Sequence, residues 1–241
     1  MKLSVIIPCY NFEKYIEQSI LSALSQKTNF EFEVIVRDDG STDSSLTHIK
    51  KFDSSIRILD SSENLGGKKN IKTLIENCKG EYIAYLDGDD YWTNRDKLQK
   101  QVDFLDSNPE CIMTCTGYYE RRENNYKPSE NKYWMSMCRS YSNWEVRTEN
   151  LLINNPATYG RTFRNLNNLI KDWMFDIRFL DWAINYELSK YGYIKYLDFP
   201  GGVYRIHEGG VFSMMDEKKV SEIKSDIRNK LKIQYDCWKS I

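Results

Sequence analysis

The chain has 241 residues, with 34 Lys and Arg against 35 Asp and Glu and a formal net charge of −1; 41% of residues are hydrophobic and 29% charged. That length fills one large α/β core or two small ones, and the near-neutral charge gives no general drive toward nucleic acid or an anionic membrane. No apolar run reaches the roughly eighteen residues that a bilayer span requires, and six scattered Cys fit reduced thiols of a cytoplasmic protein better than a disulfide framework.

In chain order, Leu3 to Ile7 is a short apolar run ending at Pro8. It is too short for a signal-peptide core and reads as a first strand. Asn11 is placed to cap a helix marked by Ile16, Ile20, Ala23 and Leu24 at helical spacing. Phe32 to Val36 reads as a second strand that ends in Arg37-Asp38-Asp39-Gly40-Ser41-Thr42-Asp43. Thr42 or Asp43 can cap a helix that turns Leu46 and Ile49 inward. Ile56 to Leu59 is a third strand, and Ile71, Leu74, Ile75 and Cys78 mark a helix stopped by Gly80. Glu81 to Leu86 is a fourth strand that runs directly into Asp87-Gly88-Asp89-Asp90.

Strands separated by single helices predict right-handed βαβ units and a mostly parallel sheet, an α/β fold. Ligands of such sheets bind outside the carboxyl ends of the strands. The polar clusters at Tyr10-Asn11, Asp38-Asp39 and Asp87 to Asp90 all fall at those ends, so they are expected to converge on one crevice.

The second half is less regular. Leu98, Val102 and Leu105 predict a helix closed by Asn108-Pro109, then a strand over Cys111 to Tyr119 and a mobile polar loop from Glu120 to Lys132. Thr158 to Phe163 reads as a strand, Asp181 to Tyr191 as a helix, and Tyr193 to Leu197 and Val203 to Ile206 as two more strands. From Asp216 onward, Val220, Ile223, Ile227, Leu231 and Ile233 mark a terminal amphipathic helix. No repeat or linker interrupts the chain, so residues 1–241 read as a single domain.

Two carboxylates separated by one residue after a strand can jointly address Mg²⁺ or Mn²⁺, which keep coordination positions for water and phosphate. Gly88 between them is expected to let the backbone turn sharply and to keep bulk away from a ligand. Taken alone, the same acids also describe a solvated turn. Asp181 equally opens a predicted helix, where a carboxylate serves as N-cap. A lone His207 is more often structural, although Gly209 and Gly210 after it permit the positive φ of a hinge.

Val5-Ile6-Ile7-Pro8-Cys9-Tyr10-Asn11, Val36 to Asp43, Asn64-Leu65-Gly66 and Gly80 to Asp90 together resemble family 2 glycosyltransferases. Further on, Leu180-Asp181-Trp182 resembles that family's catalytic-base segment, with Leu where an acid usually precedes the base. Val203-Tyr204-Arg205-Ile206-His207-Glu208-Gly209-Gly210-Val211-Phe212-Ser213 resembles the closing motif of bacterial cell-surface polysaccharide enzymes.

The resemblance implies a GT-A fold with a nucleotide-sugar-binding half over 1–110, an acceptor-binding half over 111–213 and a C-terminal helix over 214–241. It also implies a nucleoside-diphosphate sugar donor, Mn²⁺ or Mg²⁺, and inversion at the anomeric carbon. In that scheme Asp39 binds the base, UDP being favoured because a carboxylate suits the uracil imide. Pro8, Tyr10 and Asn11 form the pocket floor, with Gly66 and Lys69 near the nucleotide. Asp87 and Gly88 lie by the ribose, Asp89 and His207 at the metal, and Asp181 is the general base. The acceptor is a glycan or a lipid-linked glycan, with no nucleic acid partner, in a cytoplasmic enzyme that can sit peripherally at the inner membrane face. A sugar-nucleotide nucleotidyltransferase and a catalytically inactive sugar-nucleotide-binding module are the alternatives. The first wants a Gly-rich basic loop where Pro8 to Glu13 stands, and the second conflicts with Asp89 and Asp181.

Overall fold

The computed structural model describes residues 1–59, 63–122, 133–134, 141–210 and 215–240. Four strands, β1 (Leu3–Cys9), β2 (Phe32–Asp38), β3 (Arg57–Ile58) and β4 (Tyr82–Tyr85), alternate with the helices α1 (Ile16–Leu24), α2 (Ser45–Lys50) and α3 (Gly67–Glu76). Beyond them come β5 (Tyr91–Trp92), α4 (Lys97–Ser107), β6 (Cys111–Arg122), β7 (Tyr133–Trp134), β8 (Glu145–Val146) and α5 (Thr148–Leu151). The chain then forms β9 (Thr162–Arg164), α6 (Leu180–Ser189), β10 (Tyr193–Ile206) and α7 (Glu217–Lys239).

All the described strands join one sheet, whose main path runs β3-β2-β1-β4-β9-β6-β10-β5. Its first four strands are parallel, as alternating helices require. β10 also runs parallel to β6, but β9 runs antiparallel to both β4 and β6, and β5 antiparallel to β10, so the sheet is mixed. The insertion of β9 ties the two halves together, because it bonds β4 on one edge and β6 on the other.

The central strands are buried on both faces. Ile6, Ile35, Ile83 and Phe163 meet α6 and α3 on one side, while Val5, Ile7, Val36 and Ala84 meet α1 and α4 on the other. This double burial explains the unbroken apolar runs of β1 and β4.

Several boundaries differ from the sequence reading for physical reasons. Tyr193 to Leu197 and Val203 to Ile206 form one strand, because β10 continues through register shifts at Leu197, Pro200 and Gly202 alongside β6. β6 runs on to Arg122, so residues Glu120 to Arg122 of the expected loop are strand; residues 123–132 lie outside the described residues. α3 ends at Asn77 rather than at Gly80, whose glycine requirement is one of space: a Cβ there would stand 2.5 Å from the Leu3 carbonyl carbon. On α7, Ile227 and Leu231 are buried, but Ile233 is 61% exposed and does not face the core. Among the described residues no helix is long and apolar enough to cross a membrane.

Candidate active site

The carboxyl ends of β1, β2 and β4 lie side by side, and the side chains singled out in the sequence gather there. Asp39 follows β2, is 2% exposed, and donates its backbone N–H to the Cys9 carbonyl at 2.8 Å. Its Oδ1 accepts from Arg37 Nη1 at 2.8 Å and from the Leu65 N–H at 2.9 Å. Among the described residues its Oδ2 accepts no hydrogen bond. The buried charge is compensated inside the fold, and one rigidly held oxygen remains for a ligand.

Asn11 does not cap α1; the residue before that helix is Tyr15, and no side-chain cap is made there. Instead Asn11 adopts φ 56° and accepts the Thr42 N–H on Oδ1 at 2.8 Å, while its own N–H donates to Ser41 Oγ at 2.9 Å. It thus fastens the β1–α1 loop to the β2–α2 loop. Tyr10 beside it is exposed, and Pro8 is half-buried within β1. Gly66 precedes α3 at φ 80°, a conformation suited to glycine, and Lys69 stands exposed in the first turn of that helix.

After β4 the acidic corner closes as a turn, with the Asp90 N–H donating to the Asp87 carbonyl at 3.0 Å. The three acids are used differently. Asp87 accepts from Tyr85 Oη at 2.9 Å on Oδ1, and its carboxyl is pushed up to about 7, first by burial and then by the Asp89 charge, against the pull of Arg161. Asp89 meets His207 Nε2 through Oδ2 at 3.0 Å. Asp90 accepts the Arg205 N–H at 2.8 Å and so anchors β10, while its Oδ2 is buried with no partner among the described residues. Burial, and after it the charges of Asp89 and Asp87, holds the Asp90 carboxyl well above the usual carboxylate range.

Gly88 does not supply a left-handed turn. Its hydrogen is required by close packing, since a Cβ would lie 2.6 Å from the Pro8 carbonyl oxygen. Neither Gly209 nor Gly210 takes a positive φ either. Gly209 instead brings its N–H to 3.2 Å from His207 Nδ1, so Nε2 is the ring nitrogen turned toward Asp89. The His207 ring is walled by Tyr15 at 4.8 Å and Phe12 at 6.3 Å between centroids. Residues 211–213 of the closing motif lie outside the described residues.

Asp181 occupies the first turn of α6, but Phe179 is the N-cap and no side chain caps the helix. The capping alternative is therefore not realised, and the carboxylate is free for other work at a helix end that favours negative charge. Asn155 Nδ2 donates to its Oδ2 at 2.8 Å. The Asp181 charge acts on both Tyr85 and Asp87, so the group lies near the acidic corner.

The sequence reading passed over two cations. Arg205 gives Nη1 to the Asp89 carbonyl and Nη2 to Gln18 Oε1, and it lies 5.1 Å over the Tyr15 ring and 4.4 Å over that of Tyr91. Its place two residues before His207 was the available signal. Arg161 is 5% exposed, lies 4.5 Å over the Tyr85 ring, and meets no hydrogen-bond acceptor among the described residues. Together with Asp87, Thr158 and Tyr159 it lines a small recess beside the corner. Nothing in its local sequence pattern announces this, because the partner elements are far along the chain.

Comparison with known proteins adds the family. A family description, "Glycosyl transferase family 2", matches residues 4–169. The poly(ribitol-phosphate) beta-N-acetylglucosaminyltransferase TarS of Staphylococcus aureus is 36% identical over 117 residues, 47% of this chain and 20% of that protein. The crystal structure of TarS residues 1–349 in complex with UDP-GlcNAc superposes with TM-score 0.66 at 23% identity, covering 95% of this chain and 72% of that one. A mannosyltransferase from Pyrobaculum calidifontis, solved with GDP-Man and Mn²⁺, superposes with TM-score 0.58 at 16% identity over 87% of this chain and 58% of that one. Against an uncharacterized Mycobacterium bovis protein, 29% identical over 219 residues, the chain covers 87% of itself and spans 60% of its relative's length. The fold is therefore the GT-A fold of the TarS structures, and the chain belongs to glycosyl transferase family 2.

Proposed function

We propose that the chain is a metal-dependent, inverting glycosyltransferase that moves a sugar from a nucleoside-diphosphate sugar, first of all a UDP-sugar, to a hydroxyl of a glycan or lipid-linked acceptor. One observation carries this reading: Asp39 and the acidic corner stand at the carboxyl ends of strands that flank β1, and Asp181, a carboxylate without capping duty, acts on Asp87 through its charge. Asp39 offers Oδ2 to an imide N–H of the nucleotide base, with Pro8, Tyr10, Asn11, Gly66 and Lys69 around it. Asp87 faces the ribose, beside Gly88. TarS and the mannosyltransferase, whose structures hold UDP-GlcNAc and GDP-Man, support a donor of this class.

The residues fit Mn²⁺ or Mg²⁺. Asp89 provides a hard oxygen, His207 an imidazole nitrogen, and Asp90 a buried oxygen without a partner close by. Among the described residues no three His, Cys, Asp or Glu side chains are arranged to hold an ion unaided. Donor phosphate and water oxygens would complete the shell, as these cations usually require. When bound, the ion supplies Lewis-acid compensation of the charge that grows on the departing diphosphate.

The chain's own residues do the rest. Arg205 braces the Asp89 backbone, so the corner is held in place before the donor arrives. Asp181 accepts the proton of the acceptor hydroxyl while the new C–O bond forms and the bond to the phosphate oxygen breaks. A single displacement of this kind inverts the anomeric centre. We read the nucleotide-binding half, the acceptor-binding half and α7 as one domain, supported by the strand β9 that bonds both halves of the sheet.

The test is incubation with UDP-GlcNAc, UDP-glucose, GDP-mannose and dTDP-glucose, with and without Mn²⁺, reading nucleoside diphosphate. Mn²⁺-dependent release from a UDP-sugar is expected. Consumption of pyrophosphate with these sugars supports a nucleotidyltransferase instead, and binding without turnover supports an inactive binding module.

A further inference from the structure

Asn155 and Asn185 form a relay behind the proposed base, of which the site description above includes only the last bond, from Asn155 to Asp181. Asn185 Nδ2 donates to Asn155 Oδ1 at 2.8 Å and to the Ala157 carbonyl at 2.8 Å. Asn155 Nδ2 in turn donates to Asp181 Oδ2 at 2.8 Å. The direction of this chain is forced. Ala157 presents only an acceptor, so the Asn185 amide group must point its nitrogen outward; Asn155 must then receive on oxygen and give from nitrogen.

The cost of the arrangement identifies its purpose. Asn185 is fully buried, and its Oδ1 has no partner among the described residues. An orphaned buried carbonyl is expensive, and an apolar residue of similar size at that helix position would avoid it. Asp181 and Asn185 stand four residues apart on α6 and therefore share a face. The loop carrying Asn155 is thus pinned to the same helix that carries the carboxylate.

We infer that Asn155 is a positioning residue for Asp181, held in register by Asn185, and that the pair leaves Oδ1 of Asp181 as the proton-accepting oxygen. This rests on the reading of Asp181 as general base. A hydrogen bond to Oδ2 removes one rotational choice from the carboxylate and leaves Oδ1 with no hydrogen bond among the described residues, open to an acceptor hydroxyl. Asn155 touches no reacting atom; it acts through Asp181.

The test measures UDP release from UDP-GlcNAc with Mn²⁺, water serving as acceptor, in the wild type, Asn155→Ala, Asp181→Ala and the double variant. Asn155→Ala is expected to lower kcat by about 10-fold or more while the donor KM stays constant, the size of one hydrogen bond to a charged group. On the Asp181→Ala background Asn155→Ala is expected to add nothing. A full multiplicative loss in the double variant, or a loss in KM alone, overturns the relay and leaves the base reading standing. Normal turnover in Asp181→Ala overturns both.

A second measurement needs no turnover. Asn155→Asp sets two carboxylates against each other and is expected to lower Tm at pH 8 by about 2–4 °C. Adding Asp181→Asn recreates a donor–acceptor pair and is expected to restore most of that loss. No rescue overturns the contact itself.

Discussion

Buried charge without a matching counter-charge is where single residues of this protein depart furthest from ordinary behaviour. Lys97 opens α4 at 0% exposure, with Nζ 2.6 Å from Gln101 Oε1 and 4.0 Å from the centre of the Trp92 ring. No carboxylate compensates it among the described residues, and burial alone pulls its pKa from 10.5 down to about 7. The unfolded chain therefore binds more protons than the folded one between those values, so stability rises with pH from about 7 to 10.5. Below that window both states are protonated and the full cost of the buried ammonium is present. Lys97→Met is expected to stabilise the protein by about 1–3 kcal/mol at pH 6 and to flatten this slope; chemical denaturation at pH 6 and pH 9 measures both. Equal stabilities of the two proteins at pH 6 would show that Gln101 and Trp92 already offset the charge. Lys97 is invisible to pattern reading, because a lysine at the start of a helix looks like any solvent-facing residue.

At the scale of elements, the close approach of β1 and the β4 corner sets where the acids stand. Gly88 packs under the Pro8 carbonyl with no room for a methyl group, so the Asp87–Asp90 turn is pressed directly onto the end of β1. Gly88→Ala is expected to destabilise the fold by about 1–3 kcal/mol through overpacking. A thermal melt reads this, and an unchanged Tm would mean that the turn lifts away freely.

β1, β2 and β4 were legible because each is a short apolar run with a polar end, which is what a parallel strand buried on both faces must be. β3, an edge strand of two half-buried residues, was read only from the longer run Ile56 to Leu59. The clusters at Asn11, Asp39 and Asp87–Asp90 followed from that placement. By contrast, β5 and β8 have two residues each, too few to show any alternation. The antiparallel sense of β9 depends on long-range pairing with Tyr82 to Ala84 rather than on its own residues. The same holds in the site. Asp181 was singled out from its own segment, but the partners of Asn155 and Arg161 lie in elements that meet them only after folding.

For the whole molecule, the crevice is assembled from both halves of the chain. Asp39 and Asp87 come from the parallel half, Asp181 from α6, and His207 and Arg205 from the end of β10, which the Asp90 carboxylate fastens to the corner. On the proposed reading, a donor held at the parallel half meets residues from the irregular half directly. We propose that this coupling makes metal and nucleotide bind together rather than independently.

The most direct test is calorimetric titration of UDP into the wild type and into Asp89→Ala, each with and without Mn²⁺. The account predicts that Mn²⁺ tightens UDP binding by about 10-fold or more in the wild type and has no effect in Asp89→Ala. Equal UDP affinity with and without Mn²⁺ in the wild type, or full Mn²⁺ dependence in Asp89→Ala, would contradict the assignment of the acidic corner.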